Sequence, residues 1–264
     1  MRRTVAVLLL AVLASGCDSE PAPPPPFTDA RALADAAAAG TTSAGSAKFS
    51  TDVAAGTVRS KGQGQARFAA TGTSLAMTTD FVGEPLELRL VDKTLYAKVP
   101  EGSQLGDGKP WVKVSPDGTD PFSQVLGGSL AQLAQQNDPA RTFDEIRSAG
   151  TIAAAERTTF DGVGAEHYRV DVELAKLGTA ALPAGLSAEA LGQLGGKVSG
   201  FPVELWLDDA RRPLQIVVDL SPILTASGAP DGASARITAH YTEWGGAVDV
   251  QAPPADQVGQ LTGG

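Results

Sequence analysis

The chain has 264 residues, with 21 Lys and Arg against 30 Asp and Glu, giving a net charge of −9. Its single Cys excludes an internal disulfide framework and a multi-cysteine zinc site. The acidic balance excludes a nucleic-acid binder, which needs a basic stripe to displace counterions.

Residues 1–16 read as an address. Met1-Arg2-Arg3 is a short positive segment, and Val5 to Leu13 is an apolar run of nine residues. A membrane span needs ~20, so this run is a signal-peptide core. Ala14-Ser15-Gly16-Cys17 follows and resembles a bacterial lipobox, with Ala14 where the pattern usually carries Leu. The resemblance implies cleavage after Gly16 and a diacylglyceryl group on Cys17. The chain would then sit on the cell membrane by a lipid anchor, facing the extracytoplasmic space. Residues 17–27 form a linker in which five prolines fall between positions 21 and 26. Such a segment extends by ~3.1 Å per residue. The domain proper is expected over 28–251, with a flexible tail over 252–264.

Thr28 is the expected N-cap of an Ala-rich helix over 29–40, ended by Gly40. Alternating strands follow at 48–53, 65–69, 75–82, 86–91 and 94–99. Gly62-Gln63-Gly64 reads as a turn or bulge between them. A two-residue turn at Asp92-Lys93 would pair Leu90 with Leu95 and Leu88 with Ala97, which puts all four on one face. Trp111 to Val114 is a further strand. Asp120-Pro121 and Asp138-Pro139 then read as two helix starts. Strands return at 151–160 and 163–174, and residues 174–196 suit short helices. Three long strands come next, at 199–208, 212–220 and 234–244. Gly245-Gly246 turns into a last strand, Val248-Asp249-Val250. The sum is ten or eleven strands in hairpin order with helices on one face, an α+β antiparallel architecture.

No residues in this chain form a catalytic, metal or cofactor constellation. His167 beside Glu166, and His240 opposite Tyr241, read as surface histidines. No Gly-x-Ser-x-Gly elbow, His-Glu-x-x-His pair or phosphate loop occurs. Asp208-Asp209 and the aspartates of 117–120 suit turns rather than a cation site.

The order of these segments resembles the LppX/LprA/LprF/LprG lipoproteins of actinobacterial envelopes. The features that carry the resemblance are the lipobox, the Ala-rich first helix, and Leu90-Val91-Asp92-Lys93-Thr94-Leu95-Tyr96-Ala97. Trp111-Val112-Lys113-Val114 and Val203-Glu204-Leu205-Trp206-Leu207-Asp208 add to it. So does the close Tyr241-Thr242-Glu243-Trp244-Gly245-Gly246. The resemblance implies a strongly curved antiparallel half-barrel with helices packed on its concave face, more distantly similar to the LolA/LolB carriers. It implies an apolar cavity between sheet and helices that holds the chains of acylated lipids or glycolipids. It also implies transfer of that lipid across the periplasmic space, with a membrane transporter as a further partner and no enzymatic activity. The expected cavity-lining residues are Leu88, Leu90, Leu95, Tyr168, Val170, Leu205, Leu207, Ile216, Val218 and Ile237. The alternative is a scaffold or sensor for a membrane protein, its concavity filled by its own side chains.

Overall fold

The computed structural model describes residues 25–81, 83–99, 105–114, 138–177, 196–230 and 232–259, together with 189, 192 and 194. Cys17 and the expected leader, and the helix expected from Asp120-Pro121, lie outside them, as does most of 178–195.

Helix α1 spans Ala30–Ala44. Its N-cap is Asp29, not Thr28: the Asp29 carboxylate accepts the Ala32 N–H at 2.7 Å, and carboxylates satisfy first-turn donors well. Gly40 does not end the helix. It is the point where the helix touches the 208–212 turn, and a Cβ there would stand 2.7 Å from the Ala210 carbonyl oxygen. The helix stops instead at Gly45, whose φ of 75° supplies a left-handed cap.

The strands are β1 (Ser46–Ala55), β2 (Val58–Ala69), β3 (Gly72–Phe81), β4 (Glu84–Val91), β5 (Thr94–Lys98) and β6 (Trp111–Val114). Helix α2 (Pro139–Ala149) leads into β7 (Gly150–Phe160) and β8 (Val163–Glu173). Then come β9 (Gly200–Leu207), β10 (Pro213–Asp219), the short helix α3 (Ser221–Ala226), β11 (Ala235–Thr242) and β12 (Val258–Gly259). Among the described residues they form one open sheet in the order β12-β6-β5-β4-β3-β2-β1-β11-β10-β9-β8-β7. All pairs are antiparallel except β12 with β6. The class is α+β, and the sheet is a half-barrel with α1 and α2 on its concave face.

The Asp92-Lys93 turn has φ of 49° and 63°, the twist that a two-residue hairpin needs. Leu90 faces Leu95 and Leu88 faces Ala97, the register expected from the alternation. Gly62 and Gly64 make neither a turn nor a bulge; both lie inside β2 in unbroken register. Gly64 is required by closeness: a Cβ would stand 2.4 Å from the Ala76 carbonyl oxygen and 2.8 Å from the Phe49 ring. Val248-Asp249-Val250 is not a strand. The Gln65 side chain holds that segment, accepting the Asp249 N–H and donating to its carbonyl at 3.0 Å each. The tail is likewise not wholly free, since Val258 and Gly259 pair with Trp111 and Val112.

Two helices cross the concavity. α1 begins near β8, where Phe27 meets Tyr168, and ends near β2, where the Gly45 carbonyl accepts the Phe68 N–H at 2.9 Å. α2 begins at β3, where Thr73 donates to the Asp138 carboxylate at 2.9 Å, and runs into β7. An ion pair of 2.7 Å between Arg147 and Asp35 joins the two helices. Among the described residues no helix is long and apolar enough to cross a membrane.

Candidate functional site

Period-two alternation puts one set of residues from every long strand on the concave face. Leu95, Leu90, Leu75, Ala66 and Ala47 lie in register across one half of the sheet, Phe49 pairs with Tyr241, and Ala239, Ile216, Leu205 and Tyr168 lie in register across the other half. These residues belong to one continuous apolar cluster together with Leu33, Ala34 and Ala37 of α1 and Phe143 and Ile146 of α2. The convex face is polar by comparison. It carries Lys48, Lys61, Gln63, Arg89, Arg169 and Glu204 at the alternate positions. The grooves on that side, such as the one between Lys48, Gln65 and Glu87, are lined with charged and amide groups.

All ten expected lining residues fall on the concave side of the sheet, but their exposure divides them. Leu88, Tyr168, Val170, Leu205 and Leu207 have no solvent exposure, and Leu95 and Ile216 have almost none. Leu90 and Val218 are partly exposed and pack against the cluster. Ile237 is also partly exposed, between Val53 and Val218, toward the end of the sheet where β10 leads into α3. Sequence reasoning passed over Phe49, Met77, Phe201 and Ala239, which share this face. Their strands were legible. Which face of each strand turns inward is set by pairing with distant strands, so it was not.

The concave face has two polar interruptions. The first is built around Glu166, the chain neighbour of His167. The structure puts it on the opposite face, two residues from Tyr168 and level with Leu207. Its carboxylate is buried, takes a hydrogen bond from the Tyr168 hydroxyl and pairs with Arg211. Arg157 lies 4.0 Å from it and binds Asp209 at 2.7 Å. Phe27 closes this cluster, with the Arg211 guanidinium 4.9 Å above its ring. Burial and the neighbouring Glu166 carboxylate push the Tyr168 hydroxyl up to about 12, so it stays a donor. The second interruption is a row of small polar residues on β1, β2 and β3.

His167 lies on the convex face. It is stacked on Trp206 at 4.1 Å, and its ring nitrogens reach Glu156 at 3.2 Å and Glu204 at 3.0 Å. His240 pairs with Asp161 at 3.2 Å. Both nitrogens of His167 are committed to carboxylates, and among the described residues no serine, threonine or cysteine is bonded to it. The close of the β-region is tied in locally. Trp244 donates to the Pro213 carbonyl at 3.0 Å, and Ser46 donates to that of Gly246 at 2.7 Å.

No protein-family model matches the chain, and no curated protein matches it in sequence. Solved structures do match. The Mycobacterium tuberculosis lipoprotein LppX superposes with a TM-score of 0.50 at 13% identity, over 84% of this chain and 98% of LppX. LprF from Mycobacterium bovis superposes with a TM-score of 0.47 at 13% identity, over 85% of this chain and 96% of LprF. The chain therefore has the LppX-type half-barrel fold.

Proposed function

We propose that this chain is an envelope lipoprotein, anchored through Cys17, that holds the acyl chains of a lipid or lipoglycan against its concave face. In this reading it carries or presents that lipid across the periplasmic space. The observation that carries the reading is the largely apolar face itself, which extends from β6 to β8 and is crossed by helices rather than closed by a second sheet. Exposing one ~16-carbon chain to water costs on the order of 13 kcal/mol at ~0.8 per CH₂, so a lipid needs such a surface to leave a membrane. The reading requires no catalytic residue.

A scaffold with a filled concavity is the competing reading, and the complete burial of Leu88, Val170, Leu205 and Leu207 is what favours it. Organic extraction of protein purified from its native host, followed by mass spectrometry, separates the two. Lipid near one per chain supports the carrier. A clean extract from a stably folded protein supports the scaffold.

A further inference from the structure

Trp206, Gln215, His240, Ser50, Gln63 and Thr78 form a row across the convex face. They stand opposite one another in unbroken register on six adjacent strands, β9-β10-β11-β1-β2-β3. At ~4.8 Å per strand the row is about 24 Å long. Its β11 to β3 half is a groove of about 490 Å³, in which Thr238, Asp52, Lys61 and Asp80 stand beside the row.

The row differs from its surroundings in charge. Elsewhere on this face the ions answer one another, as Lys48 does Glu243, Lys98 does Glu87 and Arg236 does Asp219. Beside the groove Lys61 lies 3.6 Å from Asp52, and His240 lies 3.2 Å from Asp161. The side chains of Gln215, Ser50, Gln63 and Thr78 are uncharged. None of the four is buried, and none is hydrogen-bonded to another described residue. Hydroxyls and amides both donate and accept, so this stretch offers both to one ligand.

One end of the row is aromatic. The β7–β8 hairpin brings the Phe160 ring to 5.8 Å from Trp206 and 5.5 Å from His240. Phe160 and Trp206 stay partly exposed, and Val163, the strand partner of Phe160, is 46% exposed. An apolar platform therefore continues into a neutral, hydrogen-bonding groove. A sugar ring is amphipathic in the same way, with a C–H face and a rim of hydroxyls. An anionic polymer would instead meet Asp52 and Asp80, with Lys61 already engaged. A peptide strand would find no free backbone groups, because all six strands are paired on both sides.

We propose that this row binds a neutral, extended glycan. The glycan lies across the strands, one ring against Phe160 and its hydroxyls on Ser50, Gln63 and Thr78. The site is on the opposite side of the sheet from the apolar face and is independent of lipid binding.

The test runs the full chain in detergent on native gels cast with arabinogalactan or glycogen, two neutral glycans, or with the anionic polygalacturonate. A neutral glycan is expected to retard the wild type, and polygalacturonate is not. Gln63→Ala and Ser50→Ala should each weaken the retardation about fivefold, the worth of one net hydrogen bond, with an unchanged melting temperature. Ile237→Trp, on the concave face, should leave it unchanged. No retardation by either neutral glycan, equal retardation by polygalacturonate, or retardation that survives Gln63→Ala and Ser50→Ala together overturns the site. So does its loss in folded Ile237→Trp. Lipid content, read separately by organic extraction, is untouched by any of these outcomes.

Discussion

The backbone N–H of Phe27 donates to the Tyr168 hydroxyl at 3.0 Å, a contact between residues 141 positions apart. It fixes where the proline-rich linker meets the domain, on the concave side beside Glu166 and Arg211. Tyr168→Phe removes both the acceptor for Phe27 and a donor to the buried Glu166 carboxylate. The expected cost is about 1–3 kcal/mol, read from the urea midpoint. Faster chymotryptic cleavage after Phe27 should accompany it. Unchanged cleavage would mean that the linker is held by something else.

Gly40→Ala reverses the usual rule for helices. In an exposed helix interior the change stabilises by ~1 kcal/mol. Here the new methyl would stand 2.7 Å and 2.8 Å from the carbonyl oxygens of Ala210 and Arg211. These are backbone atoms that cannot swing aside, so the variant should melt lower than the wild type. A higher melting temperature would show that α1 and the 208–212 turn are not in contact.

Glu145 gives the fold a pH dependence. Burial raises its carboxyl to about 7 from the ordinary 4.5, with Arg141 opposing the shift. The folded state therefore favours the protonated form. This contribution to stability is full below pH ~4.5, fades as the pH rises, and is gone above about 7. At ~1.4 kcal/mol per pKa unit it is worth roughly 3 kcal/mol. Glu145→Gln should gain about that much over the wild type at pH 8 and little at pH 4.5, by urea unfolding at each pH. An equal difference at both would remove Glu145 as the source.

Position on the concave face should separate ligand contact from core packing. Ile237 is partly exposed, so Ile237→Trp should block lipid uptake while costing little stability. Leu205 is fully buried, and Leu205→Trp should cost about 1–3 kcal/mol or more through overpacking. Mass spectrometry of extracted lipid and a thermal melt of each variant read the two effects independently. Normal lipid content in folded Ile237→Trp would place the ligand elsewhere.

Cys17→Ser should shift the protein from the membrane fraction to the soluble one while leaving its melting temperature unchanged. Among the described residues the first hydrogen bond that ties this segment to the domain is made by Phe27, ten positions on. Retention in the membrane fraction would contradict the lipid anchor.

The sequence by itself determined the strands and the local turns. The Asp92-Lys93 hairpin was legible because alternation and turn chemistry act between near neighbours, and they fixed Leu90 against Leu95. Likewise Asp138-Pro139 announced α2. What the sequence could not state was anything decided by residues far apart along the chain. Gly40 and Gly64 looked like breakers because a glycine's lack of a side chain reads locally as a weak spot. Only the approach of Ala210 and Ala76 shows that the bare Cα is needed for contact. Glu166 entered the sequence reading only as the chain neighbour of His167, with nothing local to announce its burial. Its burial depends on Arg211, which the β9–β10 turn delivers from 45 positions away.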